Sequence, residues 1–358
     1  MLDPSERSDP HRVHRPEVPS GTPAAARTPT AIRSRNAPTT PRGCAVRPVS
    51  PLRWDPISGE PLLVATGRIA RPHDTGPAAP LDSPPVSDAA RPDCPFCPGA
   101  ERETPPEVWA DRDPGTARDT PGWHVRAVPN RFPVLPPEEG VHEVIISSPR
   151  HVLAFWDLTP PEMAAAIDAW ALRERALRSD PRGLWPFVFL NQGAAAGASL
   201  QHSHAQLIGF PFAPPRLAAH EQAFHAAATC PICDELVDPE LALITEIGPL
   251  VAWCPQAPTL SGGVRIAPRR HTPGWPARPG RDLAAILGPV MREVSAVIGT
   301  FAANLWLHQR RDDGPDGMHW HIELIPRRGT LAGMELGAGV FPLLSDPNEL
   351  AQAIRAGI

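Results

Sequence analysis

His202-Ser203-His204-Ala205-Gln206 is answered, 117 residues downstream, by His319-Trp320-His321-Ile322-Glu323. The likeness extends upstream of both stretches. Each is preceded by a lone His behind a Pro-Arg element, His151 or His271, and before that by a Cys-x-x-Cys pair, Cys94-Pro95-Phe96-Cys97 or Cys230-Pro231-Ile232-Cys233. The intervals are similar: 54 and then 51 residues in the first copy, 38 and then 48 in the second. Chance is a poor explanation for agreement in this order. It predicts two half-domains built alike, each with a Cys2His2 constellation and one further His two residues beyond its last ligand.

A chain of 358 residues has room for about two domains of ~100–200 residues, each with a core of its own. It contains neither Lys nor Tyr, while Pro alone contributes 50 residues. That bias reads as the imprint of a GC-rich genome rather than of function. A net charge of −5 leaves no electrostatic footprint for nucleic acid or a membrane surface. No apolar run approaches the ~18–20 residues of a membrane span, and the N-terminus lacks a signal-type apolar core, so a soluble cytoplasmic protein is expected. Four of the six Cys sit in Cys-x-x-Cys pairs with downstream His, which favours metal ligation in a reducing compartment over disulfides.

Residues 1–45 are rich in Pro, Ser, Thr, Ala and Arg without apolar period, and are expected to form a disordered tail. Asp3, Glu6, Asp9 and Glu17 argue against a transit peptide. The segments 81–92 and 101–123 read as surface loops around the first Cys pair. Regular structure then follows in matched order. Val144–Ile146 and Val264–Ile266 read as strands before the lone His residues. Thr159, Pro160 and Glu162 form a capping box at the start of a helix whose buried face carries Met163, Ile167, Trp170 and Leu177. Its counterpart runs through Leu283, Leu287, Val290, Val294 and Val297. Strands are expected over 187–190 and 304–307, and the His-x-His strands over 202–208 and 319–325. Strand, helix, strand, strand implies an α+β half-domain, an antiparallel sheet with a packed helix, present twice. The boundaries drawn are a tail at 1–45, an N-terminal half at 46–228 and a C-terminal half at 229–358.

Zinc takes about four soft or borderline ligands in tetrahedral array, and two Cys three apart can face one ion from a tight knuckle. Cys94, Cys97, His151 and His202 form one such set; Cys230, Cys233, His271 and His319 form the other. Buried thiols without metal remain an alternative, as does a redox dithiol, which needs a thioredoxin-like unit not visible here. On a strand, residues i and i+2 share a face, so His202 can hold metal while His204 meets substrate, with the amide of Gln206 next in the row. Upstream, Asn191-Gln192-Gly193-Ala194-Ala195-Ala196-Gly197-Ala198-Ser199 is a small-residue loop whose backbone N–H groups suit phosphates.

The pattern Asn191-x-Gly193-x-x-x-Gly197-x-Ser199-x-x-His202-x-His204-x-Gln206 resembles the signature of the galactose-1-phosphate uridylyltransferase family, within the histidine-triad superfamily. The resemblance spans roughly residues 50–345. It includes Trp54-Asp55-Pro56-Ile57-Ser58-Gly59-Glu60, Gly67-Arg68-Ile69-Ala70-Arg71-Pro72, Pro129-Asn130-Arg131-Phe132 and Ser148-Pro149-Arg150-His151. It implies tandem histidine-triad-like halves, with His204 as the nucleophile that takes a nucleoside monophosphate, Gln206 bonding the phosphoryl group, and Cys94, Cys97, His151 and His202 on zinc. It further implies that Arg68, Arg71, Asn130, Asn191 and Ser199 contact nucleotide or phosphates, with Gly197 in the same loop, and that Glu335 binds sugar. The expected reaction is ping-pong transfer of UMP from UDP-glucose to a hexose 1-phosphate, by a homodimer.

Features of the ADP-glucose phosphorylase branch are also present: Ser203 between the two His residues, and a second Cys-x-x-Cys pair. An adenylyl transferase using phosphate is therefore the alternative within the class; a catalytically silent zinc-binding paralogue and a hydrolase are the alternatives outside it. Gln206 disfavours hydrolysis, because transfer between phosphates needs no proton donor at the leaving group. In the second half Gln206 is matched by Glu323 and the loop is the acidic Asp312-Asp313-Gly314-Pro315-Asp316. These repel an anion, so His321 reads as a structural relic and the second metal set as structural.

Overall fold

Strand pairing joins the two copies edge to edge. The computed structural model describes residues 52–58, 61–64, 91–309 and 318–358, all within one compact unit, Val49–Ile358. The tail, Arg68, Arg71 and the acidic loop 312–316 lie outside the described residues. After β1 (Leu52–Trp54) and β2 (Pro61–Val64), the first half forms β3 (Trp109–Arg112), β4 (Trp123–Pro129), β5 (Val141–Ile146), α1 (Pro160–Arg178), β6 (Trp185–Gln192) and β7 (His204–Phe210). Two connecting helices follow, α2 (Pro215–Ala226) and α3 (Pro231–Val237). The second half repeats the order with β8 (Ala242–Ile247), β9 (Leu250–Cys254), β10 (Val264–Pro268), α4 (Gly280–Ile298), β11 (Ala303–His308) and β12 (His321–Pro326). The chain closes with α5 (Gly333–Ala338), β13 (Phe341–Leu343) and α6 (Pro347–Arg355).

Among the described residues the large sheet has ten strands in the order β3-β4-β5-β7-β6-β11-β12-β10-β9-β8. Read from its centre outward, each half is the same series of strands. The seam is the antiparallel pair β6 and β11, with Leu190 opposite Leu305 and Asn191 opposite Asn304. This is the α+β architecture of two tandem histidine-triad-like halves. A small sheet pairs β1 with β2 antiparallel and β2 with β13 parallel.

One face of the large sheet is covered by helices. The capping box forms as the sequence requires: the Thr159 hydroxyl accepts from the Glu162 N–H, and the Glu162 carboxylate accepts from the Thr159 N–H. Met163, Ile167, Trp170 and Leu177 are all buried, each aliphatic side chain contributing about 1.5–3 kcal/mol by leaving water. In α4, Leu283, Leu287, Val290 and Val294 are buried, but Val297 is exposed. Val297 lies in the last turn of α4, which ends at Gly299 in a left-handed cap, so the buried stripe stops one turn short of the expected one. The helices of the two halves pack on each other. Gly280 allows this: its N–H donates to Asp168 at 2.8 Å, and a Cβ there would collide with the Ala164 carbonyl.

Two further expectations need correction. The segment 101–123 is more than a surface loop: it contains β3 and a 3-10 turn at Glu101–Glu103. Glu101 and Glu107 are buried in it because Trp123 Nε1 donates to Glu101 at 2.9 Å and Arg126 pairs with Glu107 at 3.0 Å. The His-x-His strands also begin at the second His of each pair, His204 and His321, rather than at the first. Before them Ser203 donates to the Val152 carbonyl, and Trp320 to the Thr272 carbonyl, so the backbone leaves the ladder at matched points in both halves.

Candidate active site and metal centres

That departure turns His202 toward the Cys knuckle. Its Nδ1 lies 3.6 Å from Cys94 Sγ and 3.7 Å from Cys97 Sγ, and His151 Nδ1 lies 3.3 Å from Cys97 Sγ. His202 Nε2 donates to the Ser148 carbonyl at 2.8 Å, which fixes the tautomer that leaves Nδ1 as a ligand. All four residues are buried. Burial lowers the His202 pKa to about 4 and, with Cys97 alongside, raises that of Cys94 to about 11. Ser148 is held in turn by its hydroxyl on Glu162, which also takes two bonds from Arg150.

The second set repeats the geometry nearer the surface. Cys230 Sγ lies 3.8 Å and Cys233 Sγ 3.5 Å from His319 Nδ1, and Cys233 Sγ lies 3.6 Å from His271 Nδ1. Cys230 is the N-cap of α3, so this pair opens a helix. His271 is exposed and both Cys are half-buried. Each Cys2His2 group could hold a metal ion.

His204 stands beside the first group and lines two adjoining cavities. One, of about 640 Å³, is also lined by Phe96, Asn130, Val144 and Gln206. The other, of about 340 Å³, is lined by Asn191, Gly193, Ser199 and His202 among others. The His204 Nδ1–H donates to the His202 carbonyl at 2.7 Å, leaving the lone pair on Nε2. Burial lowers its pKa, so the ring is neutral.

The small-residue loop is a 3-10 turn at Ala194–Ala196, flanked by Gly193 (φ 78°) and Gly197 (φ 86°). Gly193 is required twice over: by its φ, and because a Cβ would meet Ala302 of the second half at 3.0 Å. The N–H groups of Ala196, Gly197 and Ala198 are used inside the turn, so the expected phosphate cradle does not draw on them. The loop is braced across the seam: Asn304 donates to Asn191 Oδ1 and to the Ala196 carbonyl, both at 2.8 Å.

Residues 46–214 match the family model described as galactose-1-phosphate uridyl transferase, N-terminal domain. These residues, just under half of the chain, are thus similar to that family. It is 26% identical to the ADP-glucose phosphorylase of Arabidopsis thaliana, over 87% of this chain and 95% of that one. It is 30% identical to a galactose-1-phosphate uridylyltransferase of Streptomyces lividans, over 52% of each. A crystal structure of an ADP-glucose phosphorylase from Arabidopsis thaliana with bound ADP-glucose superposes with a TM-score of 0.72 at 24% identity, covering 85% of this chain and 98% of that one. The chain is thus similar to nucleotidyltransferases of two kinds, uridylyltransferases and an ADP-glucose phosphorylase.

Of the residues the family resemblance singled out, His204, Gln206, Asn130, Asn191 and Ser199 line the two cavities. Gly197 caps the loop beneath them. Glu335 does not join them. Its carboxylate accepts from the Ala332 N–H at 2.9 Å and caps α5.

In the second half the environment of the matching His differs. His321 Nδ1 faces the His319 carbonyl at 3.1 Å, but its ring is stacked on His308 at 4.6 Å, and its buried Nε2 has no hydrogen-bond partner among the described residues. Glu323 is consumed by Arg265 and by the Thr259 hydroxyl. Arg265 also pairs with Asp55 and Glu235 at 2.7 Å, which explains Asp55 in the N-terminal motif as an anchor for that segment. Sequence reasoning passed over His220, which with His308 and His321 forms a third buried His group, and over His142 and Asn304. No spacing rule connects such residues: His142, Asn304, His308 and His321 are brought in by strand register, and His220 by the packing of α2. Among the described residues no helix is long and apolar enough to cross a membrane.

Proposed function

We infer that the chain transfers a nucleoside monophosphate from a nucleotide sugar to a second phosphate, through a covalent intermediate on His204. The observation that carries this is the His204 ring itself. Its Nδ1–H is committed to the His202 carbonyl, so Nε2 carries the lone pair on a residue lining both cavities. Nε2 attacks the α-phosphorus, the bond to the sugar 1-phosphate breaks, and the sugar 1-phosphate leaves. The positive charge that develops on the ring is stabilised by the Nδ1–H bond to the carbonyl. A phosphate oxygen of the acceptor then displaces Nε2 in the reverse sense. Gln206 donates its amide to the transferred phosphoryl group, and Asn130, Asn191 and Ser199 hold nucleotide and phosphates. Neither step needs a proton at the leaving group, which suits an amide rather than a third imidazole.

Zinc fits both Cys2His2 groups. With Zn–S of about 2.3 Å and Zn–N of about 2.0–2.1 Å, a tetrahedral ion holds S and N about 3.5–3.6 Å apart. The Sγ–Nδ1 separations run from 3.3 to 3.7 Å in the first group and from 3.5 to 3.8 Å in the second. A closed four-ligand ion held by Cys94, Cys97, His151 and His202 would supply structure, tying the knuckle and the lone His loop to His202, whose carbonyl orients His204.

The donor UDP-glucose with a hexose 1-phosphate acceptor is one reading. ADP-glucose with phosphate is the other, favoured by the match along nearly the whole Arabidopsis ADP-glucose phosphorylase. Incubating the enzyme separately with each nucleotide sugar, labelled in the nucleotide, and asking which label becomes protein-bound decides between them. Label bound from neither would overturn the proposed intermediate. A homodimer in which one subunit completes the other's site would give Glu335 a place at the sugar, and sedimentation of the wild-type chain tests it.

A further inference from the structure

Behind the cleft, His142 of β5 is buried on the same sheet face as Val144, with only 7% of its surface exposed. It does not line the cavity, yet it touches two residues that do. Its Nε2 lies 2.9 Å from Gln206 Oε1 and 3.1 Å from Asn130 Nδ2, and its Nδ1 accepts from the Val134 N–H at 3.3 Å. A neutral imidazole has one donor and one acceptor. With Nδ1 accepting from the Val134 N–H, the proton is on Nε2 and goes to Gln206 Oε1 at 2.9 Å, the shorter of the two Nε2 contacts, so the Asn130 NH2 at 3.1 Å lies beside that nitrogen without bonding to it.

This has a consequence for Gln206. A primary amide can present either its oxygen or its NH2 to a ligand at almost no cost in shape. Presented to a phosphoryl group, the oxygen repels and the NH2 donates. A partner that takes the oxygen from behind leaves the NH2 for the cleft. Asn130 is oriented by a different contact: its Oδ1 accepts from the Phe132 N–H at 2.8 Å, which leaves its NH2 beside His142 Nε2. Burial lowers the His142 pKa, and the only opposing influence is the bond to Gln206, so the ring is uncharged and acts by direction alone.

We propose that His142 is a positioning residue for nucleotidyl transfer, holding the Gln206 amide with its oxygen turned away from the cleft and its NH2 toward the transferred phosphoryl group. This rests on the nucleotidyl-transfer reading above. His142→Leu keeps the bulk and removes the donor, whereas His142→Asn retains an amide donor.

Loss of one preorganised donor costs about 10²–10³ in turnover, and misorienting it should cost less, about tenfold to hundredfold. His142→Leu is therefore expected to lower the rate of label transfer onto the protein about tenfold to hundredfold, with the nucleotide-sugar KM within about threefold, and His142→Asn should recover part of the loss. The double variant His142→Leu/Gln206→Leu should be no slower than Gln206→Leu alone, because the two residues act through one bond. Multiplying losses in the double variant, or wild-type transfer by His142→Leu, would overturn the proposal.

A second measurement does not depend on activity. Nitrogen NMR of the full chain should show His142 protonated on Nε2, with the signal moving in Gln206→Leu. A proton on Nδ1 overturns the proposal even in an active enzyme, whereas this tautomer in a chain that takes up no label leaves the orientation intact and rejects the function.

Discussion

His202 offers its ring to the Cys knuckle and its carbonyl to His204, with His204 Nδ1 2.7 Å from that oxygen. One peptide therefore links the metal group to the candidate nucleophile. Anything that releases the His202 ring also releases the hydrogen bond that sets the His204 tautomer.

His204→Ala should abolish both the trapped nucleotide and exchange. A loss of at least three orders of magnitude corresponds to more than ~4 kcal/mol of barrier at about 1.36 kcal/mol per tenfold. His321→Ala should retain substantial exchange, because its ring is packed against His308 and its neighbour Glu323 is bound by Arg265. The adduct should survive base and break in acid, as a phosphoramidate does; an adduct mapping to His321 would reverse the assignment of the halves.

Two metal ions per chain are expected, and they should leave in order. The first group is buried throughout, whereas His271 is exposed in the second. Elemental analysis after timed exposure to a chelator should show the second ion lost first. Cys94→Ser should impair folding, since structural zinc contributes on the order of 10 kcal/mol of folding free energy. A stable, fully active Cys94→Ser would contradict this.

Glu162 makes stability depend on acid. Burial alone would raise its pKa, but the Arg150 guanidinium and the bonds from Thr159 and Ser148 outweigh it and hold the value at about 2. A folded pKa below the ordinary 4.5 contributes stability that is complete above about pH 5 and disappears as pH falls toward 2. Glu162→Gln should cost about 1–3 kcal/mol at pH 7 and progressively less at acid pH. Urea unfolding at pH 7 and pH 3.5 measures the difference; an equal cost at both would reject the ion pair as its source.

Gly280→Val should destabilise the chain by about 1–3 kcal/mol, since the added carbons must push α4 off α1 at Ala164. Thermal unfolding of the two proteins side by side gives the shift, and an unchanged midpoint would mean that the helices separate freely.

What the sequence determined by itself is whatever local chemistry encodes. The repeat, the α+β class, the α1 capping box, its four buried residues and the membership of both Cys2His2 groups were legible, because helix period, cap and ligand type are properties of near neighbours and of residue chemistry. The tertiary structure decided what depends on strand register. The β6–β11 seam places Asn304 under the Asn191 loop, the early end of the ladder turns His202 to the knuckle, and β5 brings His142 behind Gln206. These partners are tens to more than a hundred residues apart, and a slip of one residue in pairing would send each side chain to the opposite face. No local pattern can specify such contacts, because their energy exists only once the ten strands are aligned.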